Sequence, residues 1–237
     1  MCVNNLRVRA GAGLTGPSMA TTRGRPRRIA PSPSGRGTAA DILDAAARLF
    51  CTVGYGSTST HRIADEAGIR QASIYHYFAG KHEILLQLLL STVQPSLEVA
   101  QRLLDEPEPA PARLWALCVC DVRLLSSGPD NLGLLYLLPE LADPRLADFQ
   151  TRRQELRTAY AKLVAACPGQ PEDPAGRAAD FVLALVESVI SRRREQPDVD
   201  VSDLAPQIAD AALRILGLDQ ATVESARSAG SRLIDQA

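Results

Sequence analysis

The stretch that decides the fold reads Ile63-Ala64-Asp65-Glu66-Ala67-Gly68-Ile69-Arg70-Gln71-Ala72-Ser73-Ile74-Tyr75-His76-Tyr77-Phe78. Ile63, Ala64 and Ala67 share one face of a short helix predicted over residues 61–67, and Gly68 breaks it. A second short helix is predicted over 70–77, with Ile74 facing inward. Two short helices joined by a glycine-containing turn make a helix-turn-helix. The first helix has to brace the second, so Ile63, Ala64, Ile69 and Ile74 form a small core. The other face of the second helix stays free for the major groove. That face carries Arg70, Gln71, Ser73, Tyr75, His76 and Tyr77, residue types that bond phosphate oxygens or base edges.

Working outward, Ile42, Ala45, Ala46, Leu49, Phe50 and Val53 recur at three- and four-residue steps, which marks a buried helical stripe. Thr38 is the expected cap, Asp41 suits the first turn, and Gly54 supplies the stop. Downstream, Lys81 opens a long helix through Ile84, Leu85, Leu88 and Leu89, continuing past Pro95 with a kink. Pro107, Pro109 and Pro111 mark a linker. Further helices are expected at about 111–127, 131–138, 144–167, 174–195 and 202–217, with a weak last one near 220–235. No alternating strand pattern of useful length occurs. The fold class is therefore all-α, divided into a disordered basic arm (1–37), a helix-turn-helix domain (38–83), a larger helical regulatory and dimerisation domain (84–220) and a C-terminal tail (221–237).

The block from Ile63 to Ile69, then Ala72-Ser73-Ile74-Tyr75-His76-Tyr77-Phe78 and Lys81, resembles the DNA-binding domain of the TetR family of transcription regulators. Ala45-Ala46-Ala47-Arg48-Leu49-Phe50 and Gly54-Tyr55 match that family's first helix and its end. The resemblance covers about residues 38–90. It implies that Thr60 bonds a phosphate at the start of the first motif helix. Gln71, Ala72, Ser73 and Tyr75 would face the groove, and Tyr77 and Lys81 would clamp phosphates. One departure stands out: Arg70 occupies a place where the family often has Ser or Thr, and a guanidinium has no acceptor with which to cap a helix. Arg70 is free instead to reach a guanine or a phosphate.

The ends differ in charge. Arg7, Arg9, Arg23, Arg25, Arg27, Arg28 and Arg36 fall within residues 1–37, which contain no acidic residue, so the rest of the chain is acidic on balance. Arg23-Gly24-Arg25-Pro26-Arg27 resembles an AT-hook core, in which arginines enter a narrow minor groove. A non-specific basic tail is the alternative reading. Met1 and Met19 are the two methionines, and a start at Met19 would remove residues 1–18. The five cysteines form no C-x-x-C pair and read as reduced thiols, with a redox-sensing thiol as the lesser alternative. His61, His76 and His82 lack metal-ligand spacing, so neither a metal nor another cofactor is expected. No long apolar run or signal segment occurs, which predicts a cytoplasmic protein without a membrane partner. No nucleophile elbow, phosphate loop or zinc motif appears, so an enzyme is not expected.

A reader of this size leaves most of the chain for other work. The resemblance implies two jobs, dimerisation and sensing. For the first, Phe181, Val182, Leu185, Val186 and Val189, with Leu204, Ile208, Ala212 and Ile215, are the expected helices of a homodimer interface. For the second, Trp115, Cys118, Val122, Tyr136 and Phe149 are candidate walls of a small-molecule effector pocket, and Asp121, Arg123 and Tyr136 its candidate polar handles. Aromatic residues make up 4% of the chain, which favours an aliphatic pocket over an aromatic cage. The resulting expectation is a sequence-specific repressor of a double-stranded DNA operator, released by a small apolar molecule. The competing reading is an architectural DNA-binding protein without ligand control.

Overall fold

The computed structural model describes residues 35–170, 176–197 and 200–235. Among these, regular structure is entirely helical. Helices α1 (Thr38–Thr52), α2 (Thr60–Glu66) and α3 (Gln71–Ile74) lead into the long α4 (Lys81–Asp105). Then follow α5 (Ala110–Ser126), three 3-10 turns (Leu132–Leu137, Pro139–Ala142, Pro144–Leu146), α6 (Ala147–Ala165), α7 (Arg177–Glu195), α8 (Val201–Ile215) and α9 (Gln220–Asp235). Arg23, Arg25 and Arg27 lie outside the described residues.

The stripe predicted on α1 is buried, with Ile42 and Ala46 fully enclosed. Gly37 rather than Thr38 holds its capping position, and Thr38 is the first helical residue. Helix α4 continues unbroken through Pro95. A proline removes one backbone donor and frees the carbonyl four residues earlier, that of Ser91. Both Pro95 and Ser91 are exposed, so water can serve that carbonyl. Ile84, Leu85 and Leu89 are buried on the inner face of α4, which ties the reader to the rest of the protein through one continuous rod.

The helix expected over 131–138 is instead a 3-10 turn. The residue before a proline is pushed to extended backbone. Leu138 before Pro139 and Asp143 before Pro144 both take that conformation, and they end the first and second 3-10 turns. The expected tail is α9, packed against α5 with Val223, Ala226 and Leu233 buried. Gly230 allows the approach: a Cβ there would stand 2.6 Å from Trp115 Cε3 and 2.8 Å from the Ala112 carbonyl. Helix α5 is the centre of the larger bundle, touching α4, α6, α7, α8 and α9.

Candidate nucleic-acid interface and regulatory core

Helix α2 is capped by Ser59, whose Oγ accepts from the Arg62 amide at 3.2 Å. It ends where Gly68 takes φ +68°, a conformation costly for other residues. That turn lets the Ile69 amide bond the Ala64 carbonyl at 2.9 Å and the Gly68 amide bond the Asp65 carbonyl at 3.1 Å, satisfying the helix end. Ile63, Ala64, Ala67 and Ile74 are buried together with Phe78, and Ile69 packs against them half-buried.

Helix α3 is shorter than the sequence suggests. It spans Gln71–Ile74, and the chain tightens beyond it, with the His76 amide bonding Ser73 and the Tyr77 amide bonding Ile74. Arg70 stands at the capping position with extended backbone and makes no side-chain cap bond, as its chemistry requires. Arg70, Gln71, Ala72, His76, Tyr75 and Tyr77 are all exposed and Ser73 is half-exposed. Tyr75 and Tyr77 stand 56% and 50% exposed, unusual for large rings with no partner helix over them.

Three of the predicted contact residues bond one another. Gln71 Nε2 donates to Thr60 Oγ1 at 3.0 Å, and Tyr75 Oη lies 3.4 Å from the same oxygen. Lys81 is set back from that face. Its Nζ donates to the Tyr55 carbonyl at 2.8 Å and lies 4.2 Å from the centre of the Tyr55 ring. Partial burial lowers its pKa, opposed by the charge of Glu140.

The predicted effector residues separate into three places. Trp115 is buried against α8 and α9, and its Nε1 donates to Asp210 Oδ1 at 2.8 Å. Asp210 also pairs with Arg227 and, at 3.8 Å, with Arg214. Tyr136 and Phe149 come together, ring centroids 5.6 Å apart, with the Arg153 guanidinium 4.4 Å over the Tyr136 ring and Tyr136 Oη donating to Thr92 at 2.8 Å. A groove of about 420 Å³ between α6 and α7 is lined by Phe149, Leu156, Leu183, Arg153 and Glu187, among others. Cys118 and Val122 are fully buried on α5, away from any groove wall. Of the expected polar handles, Arg123 is exposed on the outside.

Asp121 is the handle that lies deepest. Tyr160 Oη donates to its Oδ2 at 2.7 Å, while its Oδ1 has no hydrogen-bond partner. Burial pushes its pKa up to about 6, the hydroxyls of Ser96 and Tyr160 act the other way, and the charge of Glu187 raises it further. The participation of Ser96 and Tyr160 was not legible in the sequence, because each sits in an apolar stripe of a different helix. Burial also pushes the Cys51 and Cys167 thiols up to about 11 and Cys118 higher still, which keeps them protonated and poorly reactive at neutral pH.

The family model described as bacterial regulatory proteins, tetR family, matches residues 42–88. AmtR from Mycobacterium smegmatis, a solved structure, is 49% identical, covers 88% of this chain and 98% of its own, and superposes with a TM-score of 0.76. The fatty acid metabolism regulator protein of Bacillus subtilis is 28% identical over 52% of this chain and 62% of its own length. The HTH-type transcriptional repressor KstR2 of Mycobacterium tuberculosis is 43% identical over 21% of this chain and 24% of its own length. Against these two curated relatives the chain thus spans less than two thirds of their length. The KstR2 match is confined to the size of a reader domain, whereas the match to AmtR runs through the regulatory bundle as well. TetR-family proteins are DNA-binding regulators that respond to ligands, not enzymes, and this chain belongs to the TetR family.

Proposed function

We propose that this protein is a sequence-specific repressor that binds its operator as a homodimer and leaves it when a small, largely apolar molecule enters the regulatory bundle. The observation that carries the DNA reading is the free face of α3. Arg70, Gln71, Ala72, Tyr75, His76 and Tyr77 project from a turn held rigidly by buried Ile74. Arg70, Gln71, Ser73, Tyr75 and His76 face the groove, while Thr60 and Tyr77 serve phosphates. Arg23, Arg25 and Arg27 add minor-groove or phosphate contacts to DNA.

Dimerisation uses α7 and α8. Phe181 and Ile215 are 65% and 51% exposed on helices whose Val182, Val186, Val189 and Ala212 are buried in the monomer, with Leu185 and Leu204 half-buried. Exposed rings and branched chains on a packed bundle mark an interaction face, and two-fold pairing sets the spacing of two readers on a near-palindromic site. The groove beside Phe149 and Tyr136 is the effector site, within the roughly 300–1,000 Å³ range of small-molecule sites. Differential binding of the effector shifts the spacing of the readers.

Selection of bound DNA from a random pool, followed by footprinting, tests the first part. A near-palindromic footprint of two half-sites is the expected result. Uniform protection without a preferred site would replace this reading by an architectural one. Release of the footprinted DNA by small molecules tests the second part.

A further inference from the structure

Helices α1 to α3 meet the regulatory bundle at two main places. One is α4. The other is the first 3-10 turn, Leu132–Leu137, which packs against α1 and α7 as well as α4. Just before that turn, Asn131 bonds in two directions. Its Nδ2 donates to the Ile190 carbonyl on α7 at 2.8 Å. Its carbonyl accepts the Cys51 thiol of α1 at 3.5 Å and the Leu134 amide at 3.0 Å. Arg193, three residues beyond Ile190, answers from α7. Its Nη1 donates to the Leu125 carbonyl and its Nη2 to the Gly128 carbonyl, both at 2.9 Å. A side chain of the connecting segment thus bonds the main chain of α7, and a side chain of α7 bonds the main chain beside it.

Packing and charge close the same joint. Gly133 lies against Ile190, and a Cβ there would collide with the Ile190 side chain. Asp130 feels the charges of Arg48 and Asp44 of α1 and of Arg193 of α7. Arg48 in turn pairs with Glu66 at the end of α2, so the contacts run from α7 through 128–133 to α1 and α2. Asn131 is a costly residue for stability alone. Its Oδ1 is buried with no partner, which costs about as much as one good hydrogen bond returns. Ile190 lies inside α7, where the helix ladder also serves its carbonyl. The Asn131 bond therefore adds little to folding, and its main effect is geometric. Held by α4 alone, the reader could pivot about that rod. A second attachment away from α4 fixes the angle.

We infer that Asn131 and Arg193 are positioning residues, which clasp the reader to α7 and so set the half-site spacing that two readers fit. This inference rests on the dimeric reading given above. Helix α7 is proposed to pair across the two-fold axis, so an angle fixed against α7 is an angle fixed against the partner's reader. One base pair more or less between half-sites moves them by about 3.4 Å and turns one relative to the other. A clasped dimer strains to follow that change. An unclasped one follows by pivoting.

The test uses the full chain on its selected operator and on two versions with one base pair inserted or removed at the centre. Fluorescence anisotropy reads the affinities, and sedimentation reads the number of protomers on each DNA. The wild type should prefer the original spacing. Asn131→Ala should narrow that preference about fivefold, the worth of one lost hydrogen bond. Its affinity for the original spacing should stay within about threefold, and its thermal midpoint within about 4 °C. Arg193→Gln should narrow the preference likewise, with a lower midpoint because Arg193 also serves the end of α5. Asn131→Ala losing affinity equally on all three DNAs, or keeping the full preference, would overturn the clasp. A wild type that loads two protomers yet binds the three DNAs alike would overturn it too, and would leave the dimeric reading standing. A wild type that loads one protomer per site would overturn the dimeric reading, and the clasp with it.

Discussion

The Gln71 side-chain amide donates to the Thr60 hydroxyl at 3.0 Å, so the first residue of α3 is tied to the first residue of α2 at the edge of the exposed face proposed to meet DNA. The bond is exposed and contributes little to folding. Its effect is to hold Gln71 in one orientation before DNA arrives. Thr60→Ala should lower operator affinity about three- to tenfold while changing stability by no more than about 0.5 kcal/mol. Anisotropy titration and urea melts together check this. Equal losses in both would mean the bond serves the fold.

Lys81 spends its ammonium on the Tyr55 carbonyl at 2.8 Å and on the Tyr55 ring. Lys81→Met keeps the stem and removes both. Because the site is only partly buried, the cost should be about 1 kcal/mol. A thermal melt measures it, and a circular-dichroism spectrum like the wild type would show that α4 still starts correctly.

Asp121 gives the stability a pH dependence with a definite sign. Burial is the main cause that raises its pKa to about 6 in the folded protein. Between the ordinary aspartate range and about pH 6, the native state keeps a proton that the unfolded chain has lost. Stability from this group therefore falls as pH rises through that window and is level above it. Asp121→Asn removes the effect, so its advantage over the wild type should grow by on the order of 3 kcal/mol between about pH 4 and pH 7. Parallel urea melts across that range would refute the assignment if the two proteins stayed in step.

Gly230→Ala should destabilise the protein even though alanine is the better helix former. The added methyl would meet Trp115 Cε3 at 2.6 Å and the Ala112 carbonyl at 2.8 Å. Overpacking of this kind costs about 1–3 kcal/mol, more than the ~1 kcal/mol gained from helix propensity. A lower thermal midpoint is the expected reading.

Phe181→Glu should leave the monomer folded, because the ring is 65% exposed, and should shift the oligomer toward monomer in sedimentation. Operator binding should weaken with it, since two readers are needed at fixed spacing. A variant that stays dimeric would place the interface elsewhere.

The amino-acid sequence by itself determined the helical class and the scaffold of the reader. Ile63, Gly68 and Ile74 act locally: periodic burial and one left-handed glycine fix two short helices and the turn between them, whatever the rest of the chain does. The sequence also determined that Arg70 cannot cap α3. Tertiary structure decided what depended on distant neighbours. Leu132–Leu137, predicted as a helix, packs against α1, α4 and α7 as a 3-10 turn, and Gly230 let the expected tail dock as α9 on Trp115. The same packing moved Trp115 away from Tyr136 and Phe149, although all three looked alike as apolar wall residues. It gave Asp210 its arginines and left Asp121 with a bare oxygen. Helical periodicity says which residues point inward, but the partner each one meets there is set by how the helices cross.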